Sequence, residues 1–229
     1  MGFIESFKQN FIEQDRWKLM LSGLGTTLLI TFSALILGII LGFLVAIIRS
    51  THDKTGKFKV ANAVCQVYLT VIRGTPTVVQ LLIFYFIIFA TVPINKILVA
   101  VITFGINSGA YVAEIVRSGI MSVDNGQLEA GRSLGFSYSQ TMILIILPQA
   151  FKNVLPALGN EFIVLLKETS IAGYIAIDDL TKAGDTIRSQ TYSPFFPLVA
   201  VALVYLILVV FLSKLVNKLE RRLSASDRR

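Results

Sequence analysis

Four ionisable side chains fall inside apolar stretches of this sequence: Arg73, Glu114, Glu161 and Lys167. Burying such a group is costly unless it faces a partner or a wet cavity, so each is a candidate functional residue. A carboxylate such as Glu161 attracts an ammonium or guanidinium group in a low-dielectric site, and Arg73 could hold a carboxylate by two parallel hydrogen bonds. These charges together are suited to binding a zwitterion.

The candidate binding residues are expected at three depths. Arg73, Asn107 and Glu161 fall near the middle of three apolar stretches and could share one layer. Glu114 follows Asn107 by about two helical turns on the cytoplasmic side, and Thr103 lies nearer the outside. The residues predicted to contact a substrate are Glu161, Asn107, Arg73, Glu114, Ser108, Tyr111 and Thr103.

A structural interpretation of the same charges stays open. Arg73 could pair with Glu161 or Glu114 and fix the helix bundle, and Glu114 with Arg117 has the spacing of a helical surface pair. Lys167 is expected to extend to the outer interface or to meet an extracellular partner. A buried glutamate favours lysine, arginine or histidine as its ligand, but it could equally bind the α-ammonium group of glutamine.

Apolar runs of roughly twenty residues or more predict an all-α integral membrane protein with about five transmembrane helices. The second run is interrupted at Arg73-Gly74-Thr75-Pro76, and such a break exposes backbone groups that need a polar neighbour, as a substrate cavity provides. The passages are expected at about 19–48, 58–89, 97–116, 152–171 and 195–215.

The composition agrees with a membrane protein. Hydrophobic residues make up 54% of the 229 residues and charged residues only 15%, against about a quarter in soluble domains. A single Cys65 and a single His52 exclude a disulfide framework and a cysteine or multi-histidine metal cage. No GxxxxGK[ST] loop is present, so the chain is not expected to hydrolyse nucleotide itself. No cofactor is expected on this chain.

The distribution of Lys and Arg predicts the orientation, because cytoplasmic loops carry the excess. Thirteen such residues fall on one side of the predicted passages and six on the other. The N-terminus is therefore predicted outside and the C-terminus in the cytoplasm, and this arrangement explains the net charge of +7 without nucleic acid. The thirteen are Arg49, Lys54, Lys57, Lys59, Arg117, Arg132, Lys152, Lys214, Lys218, Arg221, Arg222, Arg228 and Arg229.

Three regions are predicted along the chain. Residues 1–18 form an N-terminal segment that could lie as an amphipathic helix in the membrane interface or simply lead into the first passage. Residues 19–218 form the transmembrane domain, which includes a short amphipathic helix on the outer surface within about 172–194. Residues 219–229 form a basic cytoplasmic tail.

A semi-polar stretch between the third and fourth passages predicts a bent pair of cytoplasmic helices. Asp124 followed by Gln127 indicates a helix start, and Gly135 indicates its end, because glycine adopts the left-handed conformation readily. A second helix is expected over about 137–146, ending before Pro148. A helix this short is marginal alone, so a partner should pack on it, and the small residues Ala130 and Gly131 would permit close approach.

Several spaced residues carry a resemblance to a known family. Glu129-Ala130-Gly131, Gly135, Ile145 and Leu147-Pro148 have the spacing of the EAA loop of permease subunits in type I ABC importers, with glycine in place of the third-position alanine. That replacement lowers helix propensity by about 1 kcal/mol. The resemblance covers about residues 19–218, and further segments resemble the polar amino acid branch at 73–76, 114–119, 126–127, 147–150 and 166–170.

The resemblance implies a type I ABC importer permease fold whose cytoplasmic loop, about 124–148, contains a coupling helix. That helix would dock in a groove of a separate ATP-binding subunit, which carries the ATP and Mg, so the chain itself is not an enzyme. Further implied partners are a second permease subunit, identical or paralogous, and an extracytoplasmic amino acid-binding protein, in a prokaryotic inner membrane. The residues implied in coupling are Gln127, Glu129, Ala130, Gly131, Gly135, Leu147 and Pro148.

Two other functions compete with the importer subunit. An autonomous ion- or proton-coupled amino acid carrier could use Glu114 and Glu161 as a proton relay, but no inverted duplication is visible in the sequence. A membrane scaffold that transports nothing does not explain buried Glu161 and Arg73. The expected function is therefore a permease subunit of an ATP-driven importer for polar, basic amino acids.

Overall fold

The computed structural model describes the backbone of residues 2–226 and the side chains as far as Leu223, and every regular element in that range is helical. The α-helices are α1 (Phe3–Phe7), α2 (Trp17–Thr55), α3 (Lys59–Arg73), α4 (Thr77–Ile83), α5 (Lys96–Met121), α6 (Asn125–Ser133), α7 (Tyr138–Thr141), α8 (Leu147–Glu168), α9 (Leu180–Thr191) and α10 (Phe195–Ser226). π-helical turns at Lys8–Ile12, Phe84–Ile88 and Met142–Ile146 and 3₁₀ turns at Glu13–Asp15 and Thr169–Ile175 connect them.

Four helical stretches in the described chain are long and apolar enough to cross a membrane, and a bent pair makes a fifth. The pair is Lys59–Arg73 with Thr77–Ile88, bent by 106°. The bend lies at the predicted break, where Pro76 has extended backbone (φ −65°, ψ 135°) and its ring disfavours helix at the preceding residue. The all-helical fold with about five spans is thus confirmed.

The helix expected over 137–146 does not end before Pro148, so that boundary prediction is wrong. The chain stays helical from Tyr138 to Ile175. A π-helical turn at Met142–Ile146 precedes α8, and Pro148 is the second residue of α8. Proline is tolerated in the first turn of a helix, where its missing N–H costs little.

The chain divides into two compact units, and α2, α5, α8 and α10 contribute residues to both. The first unit comprises the chain up to Leu35, Pro76–Gly105 and Phe162–Leu212. Its N-terminal segment is tied to α9, since Thr191 donates to buried Asn10 at 2.8 Å. The core of this unit consists of Ile30, Ala34, Leu81, Ala100, Phe104, Leu165, Ala172, Ile175 and Ile177.

The second unit comprises Ile36–Thr75, Ile106–Glu161 and the chain from Ser213. One core cluster joins α2, α5 and α8 with the loop that follows α5, and a smaller one joins α2, α3 and α5. The described part of the predicted basic tail continues α10, whereas Arg228 and Arg229 lie outside the described residues. The first cluster consists of Ala46, Val112, Val116, Ile120, Val123, Ile146, Ala150 and Val154.

Candidate functional site

A buried carboxylate and a buried hydroxyl meet in the second unit. Ser108 on α5 donates a hydrogen bond to Oε1 of Glu161 on α8 at 2.7 Å, and Glu161 is only 8% exposed. Asn107, also buried, precedes Ser108. A carboxylate offers about four acceptor sites, so this pair forms a polar, acceptor-rich position inside the helix bundle, suited to a cationic group.

Close helix packing positions this pair. A Cβ on Gly38 of α2 would lie 3.0 Å from the Oγ of Ser108, so a glycine lets α2 approach that side chain. On the other side, the hydroxyl of Tyr68 on α3 donates to the carbonyl oxygen of Ile106 at 2.6 Å. Contacts with α2 and α3 therefore hold the segment of α5 that carries Ser108.

A second carboxylate, Glu114, lies among three arginines. Arg49 of α2 donates a short hydrogen bond to its Oε1. Arg73 approaches the same oxygen at 3.9 Å, and Arg117 approaches Oε2 at 4.0 Å. Arg117 in turn binds Asp53 at 2.9 Å. The cluster thus holds three positive and two negative charges, with an excess of one positive charge.

A polar cavity of about 490 Å³ adjoins this cluster. Arg73 enters it from the end of α3, and its guanidinium carbon lies 5.5 Å from the centre of the Tyr111 ring, within the range of a cation–π contact. A guanidinium in this setting can receive a carboxylate. The lining residues are Arg49, Gln66, Leu69, Thr70, Arg73, Gly74 and Glu114.

The predicted substrate residues therefore fall into separate groups. Ser108 and Glu161 form one pair, whereas Arg73, Tyr111 and Glu114 belong to the arginine cluster. Thr103 belongs to the first unit, where it is buried and donates to the carbonyl of Val99 at 2.9 Å. Of the two salt-bridge partners considered for Arg73, the structure places Glu114 beside it. A substrate contact by any of the seven residues stays a prediction.

Sequence reasoning missed Arg49 and Asp53 as site residues. Both lie near the end of α2, which runs to Thr55, whereas the first span was expected to end near residue 48. Arg49 was counted only as a loop cation. The available signal was that no glycine or proline interrupts the chain between residue 48 and Gly56, but the partners Glu114 and Arg117 are more than sixty positions away in sequence.

The predicted coupling loop has well-defined helix caps. Asp124 accepts a hydrogen bond from the backbone of Gly126 at 2.6 Å. At the other end Gly135 has φ +87°, and the N–H groups of Gly135 and Phe136 bond to the carbonyls of Arg132 and Gly131. This is the Schellman arrangement of a helix C-terminus. The expected start at Asp124 and stop at Gly135 are confirmed by these contacts.

The glycine at the third position of the motif has a packing role. A Cβ on Gly131 would lie 2.5 Å from Cγ2 of Thr141, so α6 and α7 touch at this residue. The expectation that Gly131 offers an open surface to a partner is wrong, because Thr141 and Ile145 of the same chain cover it. Gln127, Glu129 and Ala130 are exposed.

The loop is anchored to the membrane helices. The core cluster that contains Val116 and Ile120 of α5 is in contact with three partly buried residues: Leu128, Ile145 and Leu147. Because packed cores deform little, this packing would allow a displacement of α6 to move α5 and α8 with it as a rigid body. Pro148 is exposed beside Leu147. The role of the loop in coupling stays a prediction.

The chain is similar to known transport proteins over most of its length. Residues 34–225 match the family model described as binding-protein-dependent transport system inner membrane component. The chain is 37% identical over 210 residues to the arginine transport system permease protein ArtQ of Bacillus subtilis (strain 168), covering 91% of this chain and 94% of that protein. It is 38% identical over 208 residues to the glutamine transport system permease protein GlnP of Escherichia coli (strain K12), covering 90% and 93%.

Solved structures agree with this relationship. A crystal structure of an amino acid ABC transporter with histidines matches with a TM-score of 0.84 at 43% identity, covering 93% of this chain and 98% of that one. The MetNI methionine ABC transporter matches with a TM-score of 0.71 at 20% identity, covering 91% and 96%, which shows a shared fold alone.

These similarities define the class of the molecule. The chain belongs to the family of binding-protein-dependent transport system inner membrane components. It is a membrane permease subunit with a type I ABC importer fold, and not an enzyme. The resemblance inferred from the EAA-like spacing and the RGTP segment is confirmed.

Proposed function

We propose that this permease forms the translocation pathway of an ATP-driven importer for polar, basic L-amino acids. The buried Ser108–Glu161 pair is the observation that carries the proposal. Its negative charge suits the ammonium or guanidinium group of such a cargo. The names of the relatives, an arginine and a glutamine permease, support an amino acid as the substrate class.

The two charged groups divide the recognition of a zwitterion. Glu161 is placed to attract a positive group, and Arg73, in its open cavity, is placed to receive the α-carboxylate. Asn107 and Tyr111 contribute polar and aromatic surface on α5, and Thr103 contributes nearer the outside. A conformational change that exposes these positions alternately to the two sides would carry the cargo across the membrane.

Energy is supplied by a separate ATP-binding subunit that grips α6. The exposed residues Gln127, Glu129 and Ala130 provide the docking surface, and the packing of Leu128 and Leu147 on the helix core transmits the movement. Two permease subunits, identical or paralogous, and an extracytoplasmic amino acid-binding protein complete the importer. The N-terminus lies outside and the C-terminus in the cytoplasm of a prokaryotic inner membrane.

Reconstitution tests this function. The permease is placed in liposomes with its ATPase and receptor subunits, and uptake of each of the twenty tritiated L-amino acids is measured with and without ATP. Uptake of basic amino acids that requires ATP and all subunits is expected. Uptake by the permease alone under a proton or sodium gradient would support the carrier alternative, and uptake of no amino acid in the complete system would refute the proposal.

A further inference from the structure

Glu114 has three guanidinium neighbours, but of these only Arg49 donates a hydrogen bond to it. Nη1 of Arg49 donates a short hydrogen bond to Oε1 of Glu114. Nη1 of Arg73 lies 3.9 Å from that oxygen, beyond the roughly 2.7–2.9 Å of a charge-assisted hydrogen bond. The Glu114 carboxylate is therefore hydrogen-bonded to Arg49 and not to Arg73.

Arg117 does not take part in this competition. Its Nε and Nη2 lie 3.0 and 2.9 Å from Oδ2 of Asp53, while its Nη1 stays 4.0 Å from Glu114. Two contacts to one carboxylate hold a guanidinium firmly in its plane. Only Arg49 and Arg73 thus compete for Glu114.

The N–H groups of the Arg73 guanidinium are not used in hydrogen bonds to the described residues. Within the described part of the chain it donates no hydrogen bond, and its side chain is 43% exposed, against 15% for Arg49. It lies over the Tyr111 ring and lines the polar cavity. Arg73 is therefore accessible to an anion, whereas Arg49 is enclosed and directed at Glu114.

We infer that Arg49 is a positioning residue that holds Glu114 and thereby leaves the guanidinium of Arg73 available for the cargo's α-carboxylate. The inference rests on the proposed function for the cargo. Without Arg49, Glu114 would keep a negative charge with Arg73 as its nearest uncommitted cation. Closing the 3.9 Å gap by about 1 Å would make a full hydrogen bond, and a cargo carboxylate would then have to displace Glu114.

The first test measures the accessibility of Arg73 without any cargo. The assembled transporter in detergent is treated with phenylglyoxal, which modifies uncommitted guanidinium groups, and modification of Arg73 is followed by mass spectrometry. Arg49→Gln should slow the modification about tenfold. The double variant Arg49→Gln/Glu114→Gln should restore the wild-type rate, because the competing carboxylate is gone.

Two controls accompany this test. Arg49→Lys keeps a cation beside Glu114 and should leave most of the reactivity of Arg73, and exposed Arg221 on α10 should react equally in all variants. An unchanged rate in Arg49→Gln, or a double variant that stays as slow as the single one, would overturn the inference whatever the cargo is. A purely structural role for Arg49 predicts a double variant that is at least as impaired.

The second test concerns the cargo. Tritiated arginine binding to the solubilised transporter should weaken about tenfold in Arg49→Gln and recover in the double variant. Equal binding by wild type and Arg49→Gln would overturn the inference. If wild type bound no arginine, the proposed substrate would be wrong, and the modification pattern of Arg73 would still decide between Arg49 as a positioning residue and as a mere structural support.

Discussion

Two glutamates of the second unit, Glu161 and Glu114, have the same side chain and opposite surroundings. Glu161 is nearly enclosed and receives a hydrogen bond from the neutral hydroxyl of Ser108. Glu114 is about one-third exposed and lies within 4.0 Å of three guanidinium groups. The Glu161 carboxylate therefore has a hydroxyl dipole beside it, and the Glu114 carboxylate is surrounded by an excess of positive charge.

Because their surroundings differ, the two glutamates are expected to have different roles. A hydroxyl donor stabilises a carboxylate without cancelling its charge, so the contact with Ser108 does not by itself prevent Glu161 from attracting a cation. Three arginines more than cancel the charge of Glu114, so a cation would be repelled there. We therefore expect Glu161 to be the better position for a basic cargo group, and Glu114 to act by arranging the arginines around it.

The largest expected effect comes from Glu161→Gln, which keeps the shape and removes the charge. Uptake of basic amino acids by the reconstituted transporter should fall by a factor of about one hundred, because a charge-assisted contact is lost in a low-dielectric site. Glu220→Gln, the same change at an exposed position of α10, should leave uptake unchanged.

Glu114→Gln sharpens the comparison. It should lower the thermal unfolding temperature of the solubilised subunit, because Arg49 loses its partner, while arginine affinity stays near wild type. If Glu114→Gln abolished arginine binding and Glu161→Gln spared it, the division of roles would have to be reversed.

A change outside the two glutamates separates cargo binding from coupling. Gly135→Leu should lower ATP-driven uptake at least about tenfold while sparing arginine binding, because a left-handed residue costs roughly 1–2 kcal/mol without glycine. Among the described residues beyond its chain neighbours, no atom lies within 4 Å of an added Cβ, so the cost is conformational. Gly135→Asn, which tolerates this backbone region better, should retain more coupling. Normal coupled uptake by correctly assembled Gly135→Leu would contradict the role of the loop.

Asp179, a fully buried carboxylate of the first unit, extends the comparison to pH. It caps α9 through the backbone N–H groups of Thr181 and Lys182, and burial raises its pKa from 3.8 to about 6. Protonated Asp179 therefore stabilises the folded state by up to about 3 kcal/mol. This stabilisation is fully present below about pH 4 and is lost as the pH rises through about 6. Hydrogen exchange of the α9 amides should therefore show more frequent opening at pH 7.5 than at pH 4.5.

Asp179→Asn is the matched variant, since the amide oxygen still caps the helix. It should remove the pH dependence and protect α9 at pH 7.5. Exposed Asp185 behaves oppositely, because its hydrogen bonds with Arg188 and Lys182 lower its pKa. An exchange profile that is the same at both pH values in wild type would show that burial does not dominate at Asp179.

The smallest effect is expected for Gly131→Ala, which restores the usual third residue of the motif. Its Cβ would meet Cγ2 of Thr141 at 2.5 Å, so the loop should lose about 1 kcal/mol of stability despite the higher helix propensity of alanine. Thr141→Ser removes that methyl group and should recover part of the loss. If Gly131→Ala alone raised the thermal stability, α7 would have to shift away from the added Cβ without a loss of free energy.

Much of the fold was predictable from patterns that act locally. Long apolar runs predicted the spans, the Gly74–Pro76 break predicted the bend after α3, and Asp124 and Gly135 predicted the ends of α6. The end before Pro148 was predicted wrongly, because a proline stops a helix in its interior but not in its first turn.

The site was predictable in its residue types and not in its pairings. Intramembrane charge identified Arg73, Glu114 and Glu161 as candidates, since an ionised group in an apolar run needs a reason. The partner of each charge was not encoded locally: Ser108 bonds to Glu161 across 53 positions, and Arg49 bonds to Glu114 across 65. Arg49 was missed for this reason.

The sequence by itself determined a helical membrane permease with a capped loop between its third and fourth spans, because hydropathy, glycine and proline act on the residues next to them. Only the tertiary structure decided that Glu114 is surrounded by arginines while Glu161 is paired with a hydroxyl, and that Thr141 covers Gly131. These contacts depend on which helix faces meet, and packing among distant residues sets that choice.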